Sequence, residues 1–359
     1  MTIVILKLVA GLLLLVGGGE ILVRGATSLA RIVRISPLVI GLTVVAFGTS
    51  APELFVVVQS TLTGNADVGV GNVVGSNIFN ILFIVGLSAL ITPLLVSRQL
   101  ITRDVPLMIV ASVLLFVLGR DGILGRLDGG ILFAILLGYL YWSISKSRQE
   151  SKAAQGEADT APGEPNTARV VMINIAMIAV GVLLLTFGSN WLVDGSVTIA
   201  TRMGVSKLII GLTIVAVGTS LPEIVTSIMA AVRGERDLAV GNAVGSNLFN
   251  ILCVAGLASM VAPNGVAVSD AALSFDIPVM IAVAIVCLPI FLTGNVISRF
   301  EGFVFCVYYL IYTAYLILSV TEHVLRQSIQ SLMMFVGPLT VIVLIISVAR
   351  HFRDRTAPK

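Results

Sequence analysis

Two stretches of this chain occur twice. GLTVVAFGTSAPEL from Gly41 returns from Gly211 as GLTIVAVGTSLPEI, and DVGVGNVVGSNIFNIL from Asp67 returns from Asp237 as DLAVGNAVGSNLFNIL. Both copies are displaced by the same 170 residues with no insertion between them, which marks a duplicated unit. Weaker echoes extend the match: RDVPLMI from Arg103 resembles FDIPVMI from Phe275, and Arg126 to Gly129 resembles Arg299 to Gly302. The duplication therefore covers nearly the whole chain to about residue 320.

The duplicated unit is apolar throughout. With 57% hydrophobic residues, 11% charged and a mean hydropathy of +1.06, the chain is a membrane protein rather than a soluble core. Spans of roughly 20 apolar residues are expected at about 3–23, 38–59, 68–92, 105–119 and 127–145 in the first copy. The second copy gives about 170–191, 208–231, 238–262, 273–293 and 301–320. Five is odd, so the second unit must enter the membrane in the opposite sense, and inverted repeats of this kind meet at a midplane substrate site. The expected fold is all-α transmembrane, a ten-helix core of two inverted five-helix repeats plus an eleventh C-terminal helix at about 332–349.

Residues 1–145 form the first repeat, 146–169 a polar cytoplasmic linker rich in Ala, Gly and Pro, 170–320 the second repeat, and 321–359 the extra span with a basic tail. A cytoplasmic linker places Arg24, Arg31, Arg34, Arg98, Arg103, Lys146, Arg148, Lys152, Arg169, Arg233, Arg236, Arg299, Arg350, Arg353, Arg355 and Lys359 on that side, sixteen of the 22 basic residues. The N-terminus is thus expected outside and the C-terminus inside. The run from about Thr2 to Val23 lacks a basic leader and a small-residue cleavage site, so it reads as a retained span. Cys253, Cys287 and Cys306 all fall in apolar stretches and read as packing residues. The net charge of +3 comes from basic loops, without the aromatic-laced patch that nucleic acid would require.

Against this background two carboxylates stand out. Glu53 and Glu223 each sit mid-span, where an ionised group is costly, and they are equivalent by repeat. Equivalent mid-span residues of inverted repeats can converge on the pseudo-two-fold axis, giving one pocket with two carboxylates. Such a pair repels itself when empty and favours a divalent cation or several monovalent ones. The alternative, a buried ion pair, lacks a basic partner in either motif. Pro52 and Pro222 cannot donate a backbone hydrogen bond and clash with the carbonyl four positions earlier, at Gly48 and Gly218. Both helices are expected to break there and to free carbonyls, making the backbone oxygens of Ala46, Thr49, Ala216 and Thr219 candidate ligands beside the hydroxyls of Thr49, Ser50, Thr219 and Ser220. The second motif adds Asn72, Ser76, Asn77 and Asn80, matched by Asn242, Ser246, Asn247 and Asn250. Ser76 and Asn80 are four apart and so share a helical face, as do Ser246 and Asn250. Asn72 and Asn242 follow glycines and read as packing residues, while Asp67, Asp237, Asp104 and Asp276 lie near span ends, where solvated or capping roles are expected.

GTSAPEL with GSNIFNIL, and GTSLPEI with GSNLFNIL, resemble the two alpha repeats of the sodium/calcium exchangers, in the bacterial calcium/sodium antiporter branch of the cation/calcium exchanger superfamily. The resemblance covers all ten core spans. It implies a bacterial inner-membrane location, calcium and sodium as partners alongside membrane lipid, and no cofactor; it fixes no oligomeric state. Sites are implied between the second, third, seventh and eighth helices, with calcium held by Glu53, Glu223 and the backbone of Thr49 and Thr219. Sodium sites would share the glutamates and add Ala46, Ser50, Ser76, Asn80, Ala216, Ser220, Ser246 and Asn250. It also implies that the first and sixth helices slide past the bundle to alternate access. One departure is Asn250, where potassium-dependent members carry aspartate.

Three other readings were weighed. A membrane serine hydrolase needs a base, yet His323 and His351 lie outside the repeats. A cation channel would use the same oxygens, but pores are commonly built by oligomeric rings, not by one chain carrying its own inverted repeat. A proton-coupled cation exchanger could use the paired glutamates, although related proton-coupled families lack the GTSxPE pattern.

Overall fold

The computed structural model describes residues 2–62, 66–155, 168–205, 210–292 and 294–320. The first half contains α1 (Thr2–Val33), α2 (Pro37–Thr49 continued by Ala51–Leu62), α3 (Gly69–Ile91), α4 (Leu100–Asp121) and α5 (Arg126–Gln155). The second contains α6 (Ala168–Arg202), α7 (Thr213–Thr219 continued by Leu221–Val232), α8 (Arg236–Val261), α9 (Ala272–Leu292) and α10 (Arg299–Val320). Among the described residues eight are continuous helices long and apolar enough to cross a bilayer, and the bent pairs α2 and α7, each counted as one span, bring the total to ten. Side chains such as Leu13, Phe55, Leu127, Met172, Phe187 and Phe300 are exposed, as a surface in contact with acyl chains requires.

Four two-residue strands record the inversion. β1 (Leu94–Leu95) follows α3 and β2 (Ile123–Leu124) joins α4 to α5, while β3 (Val266–Ala267) follows α8 and β4 (Val296–Ile297) precedes α10. β1 pairs antiparallel with β4, and β2 with β3. Each pair joins the loop after the third helix of one repeat to the loop between the fourth and fifth helices of the other. Within one repeat those loops lie on opposite membrane faces, so the pairing is possible only if the repeats are inverted. Pro37, Leu95 and the turn Gly234–Asp237 likewise line one cleft of about 250 Å³.

The helices occupy two environments. Of the apolar windows of α3 and α8, 72% and 83% are buried, against 22% for α1 and α6, so the glycine- and asparagine-rich helices are central and the first helix of each repeat lies at the periphery. α1 and α6 pack on each other through Gly11, Gly18 and Gly25 and, 170 residues on, Gly181, Gly188 and Gly195. A Cβ at Gly18 would stand 2.9 Å from the Gly181 carbonyl oxygen, and one at Gly188 would stand 2.7 Å from that of Gly11, so only glycine permits this approach.

Several elements depart from expectation. α1 and α6 run about ten residues beyond the apolar stretches that announce them, because helix continues past the lipid-facing segment through charged residues such as Arg24, Arg31 and Asp194. α5 continues to Gln155, so the first part of the expected linker is helical. Residues 156–167 of the linker and the expected eleventh span lie outside the described residues. Asp104, expected at a solvated helix end, is fully buried and accepts hydrogen bonds from Tyr139 of α5 at 3.1 Å and Gln99 at 3.2 Å. Its repeat equivalent Asp276 accepts one from Tyr312 at 3.0 Å. Widened π turns interrupt six helices at repeat-related places: Gly41–Val45 with Gly211–Val215, Asn80–Val85 with Asn250–Ala255, and Leu100–Asp104 with Ala272–Asp276.

Candidate ion site

α2 bends by 44° and α7 by 56°, and in each the residue between the two helical pieces is a serine, Ser50 or Ser220, with ψ near zero. Pro52 and Pro222 lie in the first turn of the following piece, where a missing N–H costs little. Each break falls at the serine that lies between Gly48 and Pro52 or between Gly218 and Pro222. The breaks also leave Glu53 and Glu223 in the first turn of a new helix, where the backbone dipole favours a negative charge.

The two breaks are braced against each other across the repeat boundary. Ser50 Oγ donates to Glu223 Oε1 at 3.2 Å, and Ser220 Oγ donates to Glu53 Oε1 at 3.2 Å. Both glutamates are 1% exposed, and the second carboxylate oxygen of each has no hydrogen-bond partner. The ion pairs among the described residues join other side chains, Lys7–Asp194 and Arg103–Glu150 among them, so nothing basic neutralises the two carboxylates.

α3 and α8 complete the site. Ser220 Oγ lies 3.5 Å from Ser76 Oγ, and Thr49 Oγ1 lies 3.4 Å from Ser246 Oγ. Asn80 Nδ2 donates to Asn247 Oδ1 at 3.0 Å and so leaves its own Oδ1 without a donor; neither amide atom of Asn250 has a partner. The site is therefore two unneutralised carboxylate oxygens with hydroxyl and amide oxygens around them. No group of three or more His, Cys, Asp or Glu side chains occurs among the described residues, so a cation here would be held chiefly by neutral oxygens. Such a donor set suits a hard cation that must be released again.

The candidate backbone ligands fare less uniformly. Ala46 O already accepts Ser50 N at 3.0 Å and Thr49 Oγ1 at 3.3 Å, so it offers at most a shared lone pair. Gly218 O, which Pro222 cannot reach, is taken by the hydroxyl of Ser189 from α6. Ala216 and Thr219 occupy the last turn before the α7 break. Sequence reasoning missed three partners. Asn242, read as a packing residue, accepts the Thr49 hydroxyl at 3.2 Å and donates to Ser227 Oγ at 3.0 Å. Met108 and Met280 each accept an amide N–H from the asparagine motif, and only the RDVPLMI and FDIPVMI echo hinted at them.

A family profile described as sodium/calcium exchanger protein matches residues 3–145 and 173–318. The antiporter CaxA of Alkalimonas amylolytica, itself assigned by inference, is 39% identical over 81% of this chain and 92% of its own length. The inner membrane protein YrbG of Escherichia coli K12 is 37% identical over 78% of this chain and 86% of its own. The sodium-calcium exchanger NCX_Mj, in crystals soaked with sodium and no calcium, superposes with a TM-score of 0.74 at 28% identity, covering 88% of this chain and 99% of that one. With both halves matched by one profile and the whole core matched by one fold, the chain belongs to the sodium/calcium exchanger family of multi-pass membrane transporters.

Proposed function

We propose that this protein is a secondary active antiporter that exchanges calcium for sodium by alternating access at a midplane site formed by Glu53 and Glu223. The observation that carries this reading is the reciprocal bracing of the two glutamates, each held through one oxygen by a serine of the opposite repeat, with the other oxygen free. Two carboxylates balance one calcium, or share several sodium ions among the surrounding hydroxyl and amide oxygens. Calcium is assigned to Glu53, Glu223, Thr49 and Thr219, and sodium to these glutamates with Ala46, Ser50, Ser76, Asn80, Ala216, Ser220, Ser246 and Asn250. Because both cations need the same carboxylates, occupancy is exclusive, and competition couples the two fluxes.

The glycine contact between α1 and α6 fits a pair that moves as one body past the more deeply packed helices. The distribution of basic residues supports a cytoplasmic linker, with the N-terminus outside and the C-terminus inside. The domain division at 1–145, 146–169, 170–320 and 321–359 belongs to the same reading, with the functional boundary of the first repeat near residue 145 although its last helix extends further.

Purified protein in liposomes should take up calcium when a sodium gradient is imposed, and the uptake should collapse when the gradient is dissipated. Uptake driven by a proton gradient alone would reassign the chain to proton-coupled exchange. Flux that never exceeds the electrochemical gradient of the moving ion would indicate a channel.

A further inference from the structure

The RDVPLMI and FDIPVMI echo places a buried methionine in α4 and another in α9, and the carboxylate site uses neither. Met108 is 0% exposed and Met280 3%. Each reaches across to the opposite repeat. Asn247 Nδ2 of α8 donates to Met108 Sδ at 3.5 Å, and Asn77 Nδ2 of α3 donates to Met280 Sδ at 3.4 Å. A thioether sulfur accepts hydrogen bonds and cannot donate one, so the amide edge facing it must be the NH₂ and the oxygen must turn away. A leucine at 280 would leave both orientations of the Asn77 amide equally acceptable, whereas Asn247 would keep its orientation in part through a second bond from Nδ2 to the Asn77 backbone carbonyl at 3.1 Å.

The oxygens turned away by this contact stay buried. Asn247 Oδ1 accepts Asn80 Nδ2 at 3.0 Å, which in turn presents Asn80 Oδ1, buried and without a donor. Asn77 Oδ1 is itself buried without a donor. One turn before each methionine the helix is fastened to its own repeat, through Asp104 to Tyr139 in α4 and through Asp276 to Tyr312 in α9. The sulfur atoms are therefore carried on anchored helices.

We propose that Met108 and Met280 are positioning residues for the ion site: the Met280 sulfur fixes the Asn77 amide so that it presents oxygen, and not N–H, to the cation, and the Met108 sulfur adds to the Asn77 carbonyl in holding Asn247 so that Asn80 does the same. Asn77 thereby joins the oxygen donors, outside the set implied by the family resemblance. The inference rests on the proposed exchange reaction.

The test uses Met108→Leu, Met280→Leu and the double variant in liposomes. A Met-to-Leu exchange conserves volume and costs less than about 1.5 kcal/mol of stability. Losing a hydrogen bond of about 1 kcal/mol should raise the apparent KM for calcium roughly fivefold in Met280→Leu and by less in Met108→Leu, where Asn247 keeps its bond to the Asn77 carbonyl, with the maximal rate per folded protein little changed. A double-mutant cycle distinguishes positioning from packing: in an Asn247→Ala background Met108→Leu should have no further effect on calcium-dependent thermal stabilisation, and likewise Met280→Leu in Asn77→Ala. Having the Asn77 cycle as well keeps the test decisive if Asn247→Ala does not fold. A wild type that exchanges calcium for sodium, together with leucine variants of unchanged KM, overturns this inference alone, as does a KM rise undiminished in the alanine backgrounds. A wild type that does not exchange overturns the proposed function and this inference with it.

Discussion

The two halves of the ion site share a sequence pattern and the serine–glutamate brace, but their asparagines are hydrogen-bonded differently. Asn80 is tied to Asn247, whereas its repeat partner Asn250 has neither amide atom engaged, and Asn77, the counterpart of Asn247, has a free oxygen. That difference needs no change of residue type, so the two arrangements can interchange if the repeats swap roles. A second class of difference is written into the sequence. Ser189 of α6 caps the Gly218 carbonyl, but the residue 170 positions earlier is Gly19; Ser227 accepts the Asn242 amide N–H, but the equivalent residue is Val57, whose side chain offers Asn72 no acceptor. Reversible asymmetry is what alternating access requires. Fixed asymmetry would bias one access state over the other.

The strongest way to break the comparison is to remove one carboxylate. Glu53→Gln and Glu223→Gln change little volume but halve the charge at the site, so each should reduce calcium flux by about 100-fold or more, given that a hydrogen-bonded buried charge is worth several kcal/mol. Flux near the wild-type rate in either purified, monodisperse variant would show that the two carboxylates do not share one site. Next in size is Asn250→Asp. It adds a third negative charge at an amide that now has no partner, and it should tighten cation binding by roughly 30-fold or more on a charge-pair scale of about 2 kcal/mol or above. Wild-type exchange should proceed in potassium-free solution at clamped voltage, since two carboxylates balance one calcium and leave no countercharge for potassium. A strict potassium requirement under clamp would contradict this.

Ser50→Ala and Ser220→Ala probe the brace itself. A hydrogen bond to a charged group contributes about 1.5–3 kcal/mol, so each should weaken calcium affinity by roughly tenfold or more. The equal distances of 3.2 Å predict equal losses. A large effect from one serine only, read by calcium-dependent thermal stabilisation, would mean that the two glutamates bind cation unequally. Pro52→Ala and Pro222→Ala restore an N–H that can close on Gly48 or Gly218, and affinity should fall several-fold at about 1 kcal/mol per recaptured carbonyl. The fall should be smaller for Pro222→Ala, because Ser189 already occupies the Gly218 oxygen.

Much of this architecture was legible because membrane helices obey few rules. The repeat offset set the number of spans per half, the odd count dictated inversion, and a Pro beside a Glu at mid-span marked each break. What stayed hidden depends on three-dimensional contact. The π turn at Asn80–Val85 leaves no hydropathy signature, since the extra residue is taken up by backbone geometry in an already apolar run. Asp104 looked like a helix-end residue because the partner that buries it, Tyr139, is 35 residues away on another helix. Asn242 sits after a glycine, as packing residues do; its contact with Thr49 crosses the repeat boundary and could not be read from spacing along either copy.

The smallest predicted effect concerns Ser227, the fixed difference nearest the site. Its hydroxyl accepts Asn242 Nδ2 at 3.0 Å and donates to Ala239 O at 3.4 Å, so it sets which edge of the amide faces Thr49. Ser227→Val copies Val57 into the second half. It should cost about 1 kcal/mol and weaken calcium affinity several-fold, since Asn242 keeps a second, longer contact from Nδ2 to the Glu223 carbonyl at 3.4 Å. The reverse change, Val57→Ser, should give Asn72 a partner and alter affinity less, because Val57 is buried and a hydroxyl there must satisfy its own proton. If the sequence asymmetry biases the two access states, the pair of variants should also shift the ratio of calcium affinities measured from the two sides of oriented vesicles, in opposite directions. A ratio unmoved by both would assign Ser227 to packing alone and leave the bias, if one exists, to Ser189.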